Sequence, residues 1–200
     1  ENAGEGPVVV TAAGCGAALK EYGHLLKDDP VWNERAEAFV KRVVDFTELL
    51  GTDELVQPGE EVELRVSYQE PCHLAHAQRI TRQPRSILQA IPGLELTEMR
   101  ESSLCCGSAG IYNIIRRKMA DDLGDRKAEA IRDTGARTVI TANPGCHMQL
   151  RTSLRRNDID VEVRHIAQVL DDAYGGDQTA KSGDWAFRRM SGAAQARASD

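Results

Sequence analysis

Five cysteines, Cys15, Cys72, Cys105, Cys106 and Cys146, are the residues of this chain whose type and placing suggest chemistry. The thiolate is a nucleophile and a soft metal ligand. Each cysteine follows a run that reads as a β-strand, and most precede a run that reads as a helix. The count is odd and no export signal precedes it, so reduced thiols are expected rather than a disulfide scaffold. A lone free cysteine is most often a small core residue. An adjacent pair in the turn Leu104-Cys105-Cys106-Gly107-Ser108, with two more turn cysteines, argues instead for a metal or redox centre. A bridge between neighbours such as Cys105 and Cys106 would strain the peptide joining them.

The elements that must position these thiols alternate along the chain. Pro7 to Ala12 reads as a buried strand, Gly14-Cys15-Gly16 as its turn, and a helix follows to about Leu26. A second helix is expected from Val31 to Leu50, since Ala36, Phe39, Val40, Val43, Phe46 and Leu50 keep helical spacing. Val62, Leu64, Val66 and Tyr68 alternate with polar residues, predicting a strand with one wet face. Pro71-Cys72 closes it and a short helical stretch follows. A helix from Pro84 to about Pro92 and a strand from Leu94 to Met99 lead to the Cys105-Cys106 turn. Helical material fills Ala109 to Thr134, and Thr138 to Ala142 is a second buried strand. Asn143-Pro144-Gly145-Cys146 is its turn, before a helix to about Arg155. A short strand at Val161 to Val163 and a helix carrying Ile166, Val169, Leu170 and Ala173 complete the pattern. The class is therefore α/β, a mostly parallel sheet flanked by helices. Its cysteine-bearing turns lie at the carboxyl ends of the strands, the ligand-binding edge of such sheets. Helix N-termini there favour thiolate and anionic metal–thiolate centres.

One stretch echoes another. VVVTAAGCGAAL (Val8 to Leu19) matches VITANPGCHMQL (Val139 to Leu150) in strand, small-residue turn, Gly-Cys and helix. A duplicated unit, cut short at its first copy, explains this. The expected organisation is a truncated first unit over 1–50, a complete unit over 60–174 and a flexible tail over 175–200. Trp185 and Phe187 with Arg188-Arg189 stand out in that tail, either as a docking peptide or as stray aromatics.

Composition excludes some classes. The net charge is −6, with 25 Lys and Arg against 31 Asp and Glu, which argues against a nucleic-acid partner. The longest uncharged stretch, Gly6 to Leu19, is too short to span a bilayer. No phosphate-binding loop, Ser-His-Asp signature or dinucleotide fingerprint is present. His73, His76 and His147 neighbour the cysteines, as outer-shell donors, proton relays or extra ligands; His24 and His165 suggest no role. Glu70 and Arg85 either face the cysteine-bearing edge, the arginine offsetting charge there or binding a carboxylate, or form a solvated surface pair, the commoner case. Arg116-Arg117-Lys118 reads as a wet helix face.

PCHL (71–74), CCG (105–107) and NPGC (143–146) together resemble the cysteine-rich CCG domain found in heterodisulfide reductases and in the iron–sulfur subunit of glycolate oxidase (glycolate dehydrogenase). In this chain 33 positions separate Cys72 from Cys105, and 40 separate Cys106 from Cys146. AAGCGAALKEYG (12–23), QPRSILQAIPGLEL (83–96) and CCGSAGIYN (105–113) extend the likeness, which covers residues 7 to 174 and is closest to the glycolate oxidase subunit. The resemblance implies a cofactor-binding set of Cys72, Cys105, Cys106 and Cys146, holding a 4Fe-4S cluster or, alternatively, a structural zinc. His73, His147 and Asn143 would stand behind it. Asn143 takes the first position of the final Cys-x-x-Cys, so the five-cysteine set of the heterodisulfide reductases is incomplete. Cys15 would be an orphan ligand of the truncated unit, in a chain matching the C-terminal part of a longer subunit. The implied function is electron transfer from a flavin-containing partner that oxidises glycolate to glyoxylate, toward quinone. A lactate or heterodisulfide oxidoreductase, or a zinc-binding assembly module, are the alternatives. The implied location is cytoplasmic or peripheral at the inner face of the membrane.

Overall fold

The computed structural model describes residues 4–51 and 58–176. In chain order its first part runs β1 (Val8–Val10), α1 (Ala13–Lys20), α2 (Tyr22–Leu25), α3 (Asn33–Val40), β2 (Val43–Asp45) and α4 (Phe46–Leu50). The second part runs β3 (Leu64–Tyr68), a π-helical turn (His73–Ala77), α5 (Arg82–Gln89), β4 (Leu94–Thr97), α6 (Tyr112–Ile115), α7 (Arg117–Asp133), β5 (Thr138–Thr141), α8 (Pro144–Arg156), β6 (Glu162–His165) and α9 (Ile166–Ala173). All described strand pairs are parallel: β1 with β2, and a second sheet in the order β4-β3-β5-β6. The expected α/β class is therefore observed. No described helix is long and apolar enough to cross a membrane.

The four-stranded sheet has helices on both faces. Val66, Tyr68 and Ile140 pack with Leu88, Ile166 and Leu170 on one side. Val139 and Val163 pack with Ile131, Leu150 and Leu154 on the other. Adjacent strand residues point to opposite faces, so a sheet covered twice buries both sets. This corrects the expectation of a wet face on β3. Ser67 is as fully buried as its neighbours Val66 and Tyr68.

The single helix expected from Val31 to Leu50 is also corrected, because β2 interrupts it. Val43 and Val44 are β-branched and stiff at χ1, and they pair in register with Val8 and Val9. Asp45 then restarts the helix. Its Oδ1 accepts the Thr47 N–H at 2.8 Å, and its own N–H donates to Glu48 Oε2 at 3.4 Å. This reciprocal capping box is the sequence signal D-x-x-E that the apolar spacing masks.

The echo in the sequence extends further in three dimensions. Val10 pairs with Asp45 as Thr141 pairs with His165, and His165, like Asp45, forms a capping box at the start of the next helix. Thus β1-α1 and β2-α4 repeat β5-α8 and β6-α9, with the same strand pairing. His165, to which the sequence assigns no role, also joins the two parts, its Nε2 lying 2.9 Å from the Thr11 carbonyl oxygen. The 175–200 tail reaches the described residues only at Gly175 and Gly176, so Trp185, Phe187, Arg188 and Arg189 lie outside them.

Candidate metal centre

The strand order β4-β3-β5-β6 reverses its direction of progress between β3 and β5. Such a switch point opens a crevice at the carboxyl ends of the strands. Cys72 follows β3, Cys105 and Cys106 follow β4, and Cys146 follows β5. The cysteines thus arrive at this crevice from three neighbouring strands. Cys106 and Cys146 are buried, whereas Cys72 and Cys105 are partly exposed.

The four thiols act on one another's protonation as a row, Cys72 with Cys105, Cys105 with Cys106, and Cys106 with Cys146. Among the described residues no three side chains are gathered around one point as a single ion would gather them. Within the row Cys105 is the natural thiolate. The Cys106 thiol and then the Cys72 thiol hold it far below the usual thiol range, helped by the Gly107 N–H at 3.4 Å. Cys72 is pushed up, chiefly by Cys105, and Cys106 by Cys105 and Cys146. Cys146 is drawn down by Cys106, with Asn143 Nδ2 donating to its sulfur at 3.4 Å.

Local backbone explains the approach. Cys146 is the third residue of α8, with Pro144 opening the helix. Cys15 holds the same place in α1. Both cysteines therefore sit inside a first helical turn, a correction to the turns expected from sequence. Gly107 has φ +94°, and a Cβ there would collide with the Ala120 carbonyl oxygen and lie 3.1 Å from its carbon. Only glycine lets the Cys-Cys turn press against α7 this closely.

Asn143 joins the two cysteine-bearing helices. Its Oδ1 accepts the Gly14 N–H at 3.2 Å while its Nδ2 donates to Cys146. Cys15 itself is exposed and takes no part in the thiol row. His73 lies beside the row, its Nδ1 3.7 Å from Cys72 Sγ. Burial lowers the pKa of His147, so it is biased to the neutral imidazole. His76 is exposed and is not brought to the sulfurs by any described hydrogen bond.

Glu70 and Arg85 are not a solvated pair. The Glu70 side chain is only 7% exposed, and Arg85 Nη1 lies 2.7 Å from its Oε1. Arg85 also grips Glu98 at 2.6 Å and Ser102 Oγ at 3.3 Å, and it lies over the Tyr68 ring. This arginine therefore ties β3 to the loop that leads into Cys105. Replacing Arg85 with Leu leaves Glu70 buried without its partner. Because Arg85 is partly exposed, the expected loss is about 2 kcal/mol, below the range for fully buried pairs. Denaturant unfolding of R85L and of the double variant R85L/E70Q checks it, since removing the stranded charge should recover part of the deficit.

Lys127 carries a signal in its spacing that its charge conceals. It lies on the apolar stripe of α7, three residues after Gly124 and four before Ile131, and it is fully buried. Its Nζ donates to the carbonyls of Glu101 and, at 2.9 Å, Ser102. Burial pulls its pKa down to about 8, while Cys106, Glu101, Cys146 and Cys105 act to raise it.

Residues 66–151 match the cysteine-rich domain family CCG. A lactate utilization protein A from Shouchella clausii is 34% identical over 164 residues, covering 82% of this chain and 69% of that protein. The chain belongs to the CCG cysteine-rich family. A probable glycolate oxidase iron-sulfur subunit from Bacillus subtilis is 42% identical over 172 residues, 84% of this chain. The match spans only 39% of that subunit. A crystal structure of a hypothetical protein from Helicobacter pylori shares the fold at a TM-score of 0.56 and 13% identity, over 79% of this chain and 33% of its own.

The donor chemistry of the site is that of the centre expected in this family, although the described side chains do not converge on one point. Cysteines following three strands supply a soft donor set. N–H groups of Gly107 and Asn143 reach two of the sulfurs, the kind of hydrogen bonding that tunes iron–sulfur clusters. The N-terminus of α8 adds partial positive charge beside Cys146. The same donors suit tetrahedral zinc.

Proposed function

We propose that this chain is the cysteine-rich part of an electron-transfer subunit in a 2-hydroxy-acid oxidoreductase, with glycolate the favoured substrate of the whole complex. The observation that carries this reading is the row of four thiols at the switch point of the sheet. Cys72, Cys105, Cys106 and Cys146 would hold an iron–sulfur cluster, most simply 4Fe-4S. When bound, such a cluster accepts and passes on single electrons. The chain's own residues supply the ligands, the N–H donors and a rigid frame that keeps reorganisation small. A flavin-containing partner would oxidise glycolate to glyoxylate, and quinone would be the final acceptor. That acceptor suits a complex peripheral to the inner face of the membrane, with this chain on the cytoplasmic side.

The first 50 residues are read as the end of a truncated first unit, and 60–174 as a complete one. The repeated pairing of β1 with β2 and of β5 with β6 supports that reading. In the longer protein Cys15 would then serve a second centre. Ile111, Ile114, Ile115 and Met119, which follow the Cys105-Cys106 turn, are all exposed. They offer an apolar surface for the rest of the subunit or for the flavin partner. Lactate is the second substrate reading, supported by the larger share of the lactate utilization relative that the chain covers.

Anaerobic purification followed by metal analysis and visible spectroscopy tests the cofactor. Iron with matching sulfide and broad visible absorbance is the expected result. Stoichiometric zinc without colour would overturn it in favour of a structural module. Co-purification with the flavin subunit, followed by reduction of a quinone analogue with glycolate and lactate in turn, tests the substrate.

A further inference from the structure

We propose that Lys127 is a built-in counter-ion of the cysteine centre, an ammonium buried in the core to balance the charge of the thiolates. This rests on the reading that Cys72, Cys105, Cys106 and Cys146 hold a metal centre.

Burying such a group is costly. An ammonium taken out of water loses several kcal/mol of hydration unless an anion replaces it. Lys127 is fully buried, and among the described residues no carboxylate forms an ion pair with it. Glu101 is the acid whose backbone it touches, but that carboxylate is exposed and bound by Arg126, at 2.8 Å from Nε to Oε2. Lys127 instead meets two neutral carbonyls, those of Glu101 and Ser102. Two carbonyls satisfy donors but carry no charge. The Glu101 carboxylate acts on the lysine from the surface, but it is shared with Arg126, so a further negative charge is needed.

The cysteine centre supplies it. The carbonyls that Lys127 Nζ holds lie four and three residues before Cys105, and Cys106, then Glu101, then Cys146 and Cys105 act to keep its ammonium charged. Four thiolates on one zinc ion leave two net negative charges, and a thiolate-bound iron–sulfur cluster is anionic as well. In a poorly solvated crevice such charge needs a partner. The route is short: Gly107 presses on Ala120 and Gly124 on Ser153, so α7 packs tightly against both the Cys-Cys turn and α8. Lys127, on the same face, then holds the carbonyls just before Cys105. It is a positioning and charge-balancing residue and touches no reacting atom.

The test uses the full chain and the variants K127R, K127Q and K127M. Metal-free protein, prepared anaerobically, is titrated with zinc against a competing chelator. K127Q and K127M are expected to lose about 10- to 100-fold in zinc affinity, as outer-shell partners do, while K127R stays within a few-fold of the wild type. K127Q keeps a donor for the loop carbonyls, so it separates charge from clamping and remains informative where K127M fails to fold. Circular dichroism of each metal-free variant checks the fold. Unchanged affinity in K127Q overturns the proposal, as does an equal loss in K127R, which would indicate shape rather than charge. In iron-reconstituted protein, K127Q should lower the midpoint potential. A tenfold shift of the redox equilibrium is about 59 mV for one electron. Wild-type protein that takes zinc in this pattern but no iron would sink the iron–sulfur reading and leave the counter-ion standing. Iron uptake with potential and zinc affinity unmoved by K127Q would do the reverse.

Discussion

Replacing Cys105 with serine is expected to empty the metal centre while leaving the chain folded. Cys105 is the middle of the thiol row, acted on by both Cys106 and Cys72, and it is the thiol most strongly biased to the thiolate. A serine hydroxyl has nearly the same shape but is a harder and far less acidic ligand. The loss should exceed the about 10- to 100-fold that outer-shell changes cost in metal affinity. Cys105 is only partly buried, so the apolar contribution lost is small and the circular dichroism of the metal-free chain should not change. Metal content per chain after anaerobic reconstitution is the measurement. Full loading of C105S would remove Cys105 from the ligand set. Cys15→Ser is the control, since Cys15 is exposed and outside the row; it should load as the wild type does.

The second large effect is expected at Gly107. Two independent penalties meet in Gly107→Ala. The residue has φ +94°, a conformation that L-residues rarely adopt, and the new Cβ would collide with the backbone oxygen of Ala120. That oxygen cannot step aside, because it belongs to α7 and accepts Gln149 Nε2 at 3.1 Å. Conformational strain and overpacking together give about 2–5 kcal/mol, a fall of roughly 10 °C in melting temperature for a domain of this size. Moving the turn also moves the Gly107 N–H away from Cys105, so metal uptake should fall with stability. Gly110→Ala provides the comparison. Its φ is also positive, at +62°, but nothing lies within 4 Å of the new Cβ. It should cost only about 1 kcal/mol. Equal melting temperatures for the two variants would refute the close-contact argument.

Much of this site is legible in the residues. Strands in this sheet are buried on both faces, so Thr138 to Thr141 reads as a continuous run. The Pro-Gly-Cys and Cys-Cys-Gly turns punctuate their ends. The helix expected from Pro84 begins two residues earlier, at Arg82, with the proline tolerated in its first turn. Where the pattern misleads, two local signals compete. Val43 and Phe46 keep helical spacing with Phe39 and Leu50, but the β-branched pair and the Asp45 capping box outweigh that spacing once β1 is available to pair. Glu70 and Arg85 read as wet because charges usually are. Their burial depends on the loop around Ser102 folding over them, which no local window contains.

By itself, then, the sequence determined the α/β class, the placing of the cysteines after strands and the echo between the two Gly-Cys segments. These rest on local chemistry: side-chain periodicity, turn residues and thiol placement within a few positions. Tertiary structure alone decided that the strand order is β4-β3-β5-β6, which makes the ends of β3 and β5 a crevice rather than an edge. It alone brought Asn143 to Gly14 across 129 positions, and Lys127 to the carbonyls that precede the Cys-Cys turn. The physical reason is one of range. Propensity and pattern act over neighbours in the chain, whereas the charge and hydrogen-bond needs of a buried group are met by whatever the packed sheet places beside it.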